Sequence, residues 1–439
     1  MFRKTVSPLI AVVLVQLSMG LNRMSSSAHA ENWPNWRGPT NNGISTEKNI
    51  PTEWTKEKNV AWRLPLPGPA GATPVAWNDR IFLTTVDEEK LLLLCVSDNG
   101  EVLWQQQLGK GNKVARTDEG NSASPSPSTD GEHVWAMMTT GDLGCYTLDG
   151  KEVWKTNLQE RFGKFNIQFG MASTPVLFED RLCIQLIHGD GNAETREALI
   201  IALDKLTGDE IWKQGRPSDG VAENEHSYAS PIIYDDGKLQ LLLTHGADYI
   251  VAHDLKDGSE VWRCGGLNPK DDPNRGYDPT LRFVASPAAI KGMIVVPTAK
   301  GGPVVAIKPN FKGDITNVKE AHIWKHPRTP DVPSPVIHGG ITYLCMENGN
   351  LHAVDSKTGE LYYEARTTSD RHRASPVFAD GKLYLTARGG VVTVVKAGKK
   401  FEILSQNSLE EEMAASPIIA NGTIYLRTFD ALWAIRTAK

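Results

Sequence analysis

"IIALDKLTGDEIW", Ile200 to Trp212, decides the fold. Ile200 to Leu203 is a short apolar run, as expected of a strand buried on both faces. Asp204 opens a tight turn, where a short carboxylate can accept backbone N–H groups. Gly208 supplies the positive φ that closes such a turn with a bulge. Glu210 and Ile211 restart the chain as a strand, and Trp212 offers a large ring to bury against the next sheet.

The same phrase recurs, ending at Trp104, Trp154, Trp262, Trp324 and, as Tyr, at Tyr363; "VVTVVKAGKKFEIL" is a worn copy. A Ser/Thr-Pro step precedes each copy: Thr73-Pro74, Ser124-Pro125, Thr174-Pro175, Ser230-Pro231, Ser286-Pro287, Ser334-Pro335, Ser375-Pro376 and Ser416-Pro417. Proline suits the start of a strand, where no ladder N–H is needed. Eight anchors 41 to 56 residues apart mark a propeller or solenoid. Four short strands per repeat select the propeller. Trp62, in "NVAWRLPLPG", stands where a repeat would end although none precedes it, and the last repeat stops after three strands. We therefore expect an all-β, eight-bladed propeller of four-stranded blades, closed by an N-terminal strand that completes the last blade.

The domain reading is a signal peptide over 1–30, an irregular Trp-containing lead-in over 31–60 and a propeller over 61–437. Arg3 and Lys4, the apolar run from Val6 to Leu21 and "AHA" at 28–30 compose an export signal, with Glu31 as the first mature residue. The protein is expected in the periplasm or outside the cell. Net charge is −5, which excludes a global nucleic-acid footprint. The five cysteines are scattered and read as buried thiols.

These motifs resemble the PQQ-like repeat family of eight-bladed propellers, two of whose branches are the pyrroloquinoline-quinone-dependent dehydrogenases and the BamB-type outer-membrane assembly propeller; with its "WPNWRGP" segment the chain most resembles the family's secreted members. The dehydrogenase resemblance implies a quinone capped by vicinal cysteines, an Asp base and calcium. No two cysteines are adjacent here, so no cofactor is expected, PQQ and calcium included. The assembly propellers are lipid-anchored at a Cys next to the cleavage site; Glu31 occupies that place, so no lipid anchor is expected.

No nucleophile elbow, Walker loop, HExxH or CxxC is present. Asp190, Asn192 and Glu194 alternate like half of a calcium loop, and Asp271, Asp272 and Asp278 lie in a long interblade loop. Propeller topology places pre-anchor segments and the links between second and third strands at one end of the ring. That gathers His188, His226, His245, Arg282, Lys300, Arg371, His372, Arg373 and Arg388 around one mouth. The expectation is a monomeric, non-catalytic binding or scaffold module. Its basic mouth would take an acidic ligand or an envelope protein, and its histidines would gain charge as pH drops through about 6.5. The alternatives are a PQQ-dependent oxidoreductase and a carbohydrate or polyanion binder.

Overall fold

The computed structural model describes residues 1–2, 31–115, 120–189, 198–268 and 276–437. The signal-peptide reading of 3–30 lies outside them, as do Asp190, Asn192, Glu194, Asp271 and Asp272. Eight antiparallel blades succeed one another, spanning 75–110, 128–157, 176–215, 232–264, 288–326, 336–366, 377–408 and 418–435. Each of the first seven supplies its own four strands. Blade 4 gains a short parallel fifth strand, Gly313–Asp314, from the long hairpin of blade 5. Blade 8 has only Ile418–Ala420, Thr423–Arg427 and Ala431–Ile435, and its outer strand is Val60–Pro65. Leu64 pairs with Leu432 and Arg63 with Trp433, so the two ends of the chain close one ladder.

The anchors hold the blades to one another. The backbone N–H of each donates to the hydroxyl of the next: Thr73 to Ser126 (2.9 Å), Ser126 to Thr174 (3.0 Å), Thr174 to Ser230 (2.9 Å), Ser230 to Ser286 (2.8 Å). The series continues from Ser286 to Ser334 (2.9 Å), Ser334 to Ser375 (2.9 Å), Ser375 to Ser416 (3.0 Å) and Ser416 back to Thr73 (3.1 Å). This ring corrects one anchor. The second is Ser126-Pro127, not Ser124-Pro125. Both steps satisfy the pattern, but only Ser126 has its N–H and hydroxyl in register with Thr174 and Thr73. Ser124 is two residues earlier and its Oγ donates to Asn121 O at 2.7 Å.

The repeat's tryptophan also crosses a blade boundary. Nε1 of Trp62, Trp104, Trp154, Trp212, Trp262 and Trp324 donates to a carbonyl in the tight turn of the following blade, at Asp98, Leu148, Lys205, Leu255, Pro309 and Ser356. For Trp62, Trp104, Trp154, Trp212 and Trp324 the ring also lies on that turn's glycine. A Cβ on Gly208 would come within 2.9 Å of the Trp154 ring, and its φ of 76° is itself costly for other residues. At the next boundary Tyr363 instead packs its ring against Phe401 of blade 7, centroids 5.5 Å apart.

The lead-in plugs the lower channel. Trp33 pairs with Ala76 of blade 1, Pro34 O accepts from Thr129 of blade 2, and Ser45 and Gly43 bond Phe378 of blade 7. Arg37 is 3 % exposed and reaches the Pro335 and Pro376 carbonyls at 2.8 and 3.2 Å. Burial lowers its pKa to about 9, so it stays cationic near neutral pH. At the seam between blades 7 and 8, Trp54 N donates to the Asn407 side chain, and Trp54 is buried.

Deleting residues 59–67 removes the closing strand and exposes the ladder edge at Ala431–Ile435. Calorimetry or urea titration should show a loss of several kcal/mol, combining a docked tryptophan with a strand's hydrogen bonds. Unchanged melting would disprove the end-to-end closure.

Candidate functional site

Two residues before each true anchor, the chain faces the upper axis. Gly71, Ser124, Ala172, Tyr228, Val284, Val332, Arg373 and Ala414 occupy these eight equivalent places, and all line one axial cavity of about 180 Å³. Trp36 of the lead-in also lines it, with Phe169 and Arg282. The wall is small-residued on one side and carries Tyr228 and Arg373 on the other. Among the described residues that line it, Arg282 and Arg373 are the charged ones, and no carboxylate is present.

Local structure fixes both arginines. Tyr228 N donates to Phe283 O at 2.9 Å, tying the segment before one anchor to the segment before the next. Arg282 then lies 5.0 Å over the Phe169 ring, with Nη1 3.2 Å from Glu223 Oε1. Arg373 has a side chain 7 % exposed and sets Nη1 3.2 Å from Glu347 Oε1. Glu347 also receives Arg371 at 2.7 Å and Lys300 at 3.6 Å, while Lys300 lies 3.3 Å from Asp331. Three cations thus meet two carboxylates. Burial, reinforced by a hydrogen bond with Glu347, raises the pKa of Asp331. For Glu347 burial acts upward too, but Arg371, Asp331, Arg373 and Lys300 outweigh it and hold it well below the usual range.

The remaining expected members serve the scaffold around the mouth. Arg388 pairs with Glu412 at 2.9 Å and lies 4.7 Å over Phe429. His372 is fully buried, with Nδ1 2.9 Å from Thr386 O and Nε2 3.3 Å from Thr367 Oγ1. His245 is fully buried edge-on to Phe283, centroids 5.2 Å apart. His188 is buried beside Phe165, Nδ1 3.1 Å from Gly189 O. Burial lowers the pKa of His226 to about 4, of His245 to about 3 and of His372 to about 4. These three do not charge near pH 6.5 in the folded protein, contrary to the sequence expectation. Phe169 and Tyr228 were not singled out from sequence. The signal for Tyr228 was present, two residues before an anchor.

Among the described residues, the cavity lining holds no carboxylate and no cysteine, the donor types that a quinone-and-calcium site would use. Among the described residues no group of His, Cys, Asp and Glu is arranged to hold a metal. The five cysteines are buried, free and absent from the mouth. Glu223 and Glu347, the carboxylates against the lining arginines, are engaged by them. Asp278 accepts Thr280 N and Oγ1 within its own turn.

A family model described as outer membrane protein assembly factor BamB matches residues 52–185, 93–264 and 312–428. No curated protein matches the chain. Among solved structures, BamB from Moraxella catarrhalis is 13 % identical with a TM-score of 0.60, covering 86 % of this chain and 99 % of its own. A europium-containing methanol dehydrogenase is 12 % identical, TM-score 0.67, over 91 % of this chain and 90 % of its own. Quinohemoprotein alcohol dehydrogenase from Comamonas testosteroni is 13 % identical, TM-score 0.65, over 93 % and 81 %. At these identities the likeness is one of fold. Among the described residues no helix is long and apolar enough to cross a membrane.

A histidine whose folded pKa is depressed leaves stability unchanged above its unfolded value, near 6.5. As pH falls below that value the unfolded chain takes up the proton first, and stability drops until the folded pKa is reached. For His372, from 6.5 to about 4, the full loss is on the order of 3 kcal/mol. Melting temperature should fall steeply between pH 6 and 4, and less steeply in His372→Gln. Parallel profiles for the two proteins would refute this assignment.

Proposed function

This chain belongs to the PQQ-like repeat family described as outer membrane protein assembly factor BamB, and from that premise we propose that it is a non-catalytic binding module of the cell envelope. Its axial mouth receives an acidic group of a ligand or partner protein. One observation carries the reading: the cavity wall holds two guanidinium groups and no carboxylate. Glu223 and Glu347 stand behind these arginines and orient them, so little side-chain freedom is lost on binding. Guanidinium forks suit carboxylates and phosphates, and low-dielectric walls focus the field of a positive opening even on a chain of net charge −5.

Arg282→Ala and Arg373→Ala should each weaken binding of a glutamate-rich peptide by about tenfold or more, with the melting temperature nearly constant. Calorimetric titration measures this, and the interaction should weaken as salt rises from 0.05 to 0.5 M, values chosen to span roughly threefold in screening length. Binding indifferent to both substitutions would place the functional surface elsewhere.

Export with removal of residues 1–30 is part of the proposal. N-terminal sequencing of the protein recovered from its producing cells should begin at Glu31. A product that retains Met1 would defeat it.

A further inference from the structure

The anchor ring carries donors as well as acceptors. Each of its eight hydroxyl oxygens accepts a backbone N–H from the neighbouring blade. A Ser or Thr hydroxyl also carries a proton to donate. The eight residues are each between 1 % and 6 % exposed, and six of them line the axial cavity, where an acceptor on the axis would meet their O–H groups.

The place is the cavity already described. Thr73, Ser126, Thr174, Ser230, Ser375 and Ser416 line it, together with Arg282 and Arg373. Four carbonyls beside the ring already accept hydrogen bonds: Ala72 O from Arg427, Ala229 O from Gln185, and Pro335 O and Pro376 O from Arg37. The lining thus sets hydroxyl protons beside two guanidinium groups, with no carboxylate among its described residues. A group that only accepts and carries negative charge fits both the hydroxyls and the guanidinium groups.

We propose that the axial cavity binds a compact oxyanion, a phosphate, sulfate or carboxylate group, seated on the hydroxyl ring and gripped by Arg282 and Arg373. The inference rests on the mouth being a ligand site and specifies the group that enters it. That group is either a free inorganic anion or the acidic end of a larger molecule.

Crystals of the purified protein soaked in sodium selenate should show an anomalous peak on the axis, within hydrogen-bond distance of the ring hydroxyls. Titration with selenate and with inorganic phosphate should give saturable binding. Arg373→Ala should reduce it by about tenfold or more. Thr73→Val should reduce it severalfold, whereas Thr73→Ser, which keeps the donor, should not. If Thr73→Val fails to fold, the selenate peak and Arg373→Ala decide. Phosphate that binds and displaces the glutamate-rich peptide identifies a site open to free anions. A peptide carboxylate located on the axis by crystallography, with no binding of inorganic anions, supports the site as one for the acidic end of a larger ligand. An axis empty of both, while the peptide still binds and still depends on the arginines, overturns this inference and leaves the mouth reading standing. Failure of anions and peptide alike overturns both.

Discussion

Eight backbone N–H groups, each given to the hydroxyl of the next blade, form the constraint on which the rest of this structure depends. One such bond contributes about 1 kcal/mol net. Its larger effect is geometric. A closed cycle has no end, so each blade's innermost strand is held at one height and one radius. Everything before an anchor then lies above the ring, and everything after it descends into the channel. The spacing between anchors varies because extra residues go into loops, which leaves the ring undisturbed. The long hairpin of blade 5, for example, folds back and lends Gly313–Asp314 to blade 4.

A second contact repeats at larger radius. Each outer-strand tryptophan donates to a carbonyl of the following turn, and all but Trp262 also lie on its glycine. The motif that looks like one blade's signature is therefore two halves of successive blade boundaries. This explains why Trp62 belongs to the N-terminal strand. Without it, the turn of blade 1 at Asp98 to Gly100 would lack its partner. The pattern lapses at the seam between blades 7 and 8. There the worn repeat places Ser405 opposite Val394 on the outer strand, and the lead-in supplies Trp54.

The same scaffold accounts for charge at the mouth of an acidic protein. Arg282 and Arg373 are brought to the axis by their distance from an anchor, and their carboxylate partners come from neighbouring loops. Burial keeps His226, His245 and His372 nearby neutral. They fill boundaries and hold loops, as His372 does between Thr367 and Thr386. Arg37 plays a similar part below the ring, clamping anchor carbonyls of blades 6 and 7 from inside the lead-in. Gly43 lies so close to that guanidinium that a Cβ would stand 2.6 Å from Nη2.

The propeller, its eight blades and the closure of blade 8 were legible in the sequence, because turn chemistry, strand patterning and a terminal tryptophan are local signals repeated at a regular interval. The place of Arg282 and Arg373 at one end of the ring was legible as well, since topology alone sends them there. The choice between Ser124 and Ser126 was not. Both precede proline, and only the positions of Thr73 and Thr174, supplied by neighbouring blades, select one. Nor did the sequence distinguish His245 and His372 from the arginines beside them. Whether such a residue faces the axis or the gap between blades depends on packing across a boundary, which no single repeat contains. Tertiary structure likewise sent the lead-in into the channel, where Arg37 finds carbonyls about 300 residues away along the chain. Local patterning determined the blades; contacts between blades determined which residues face the axial cavity.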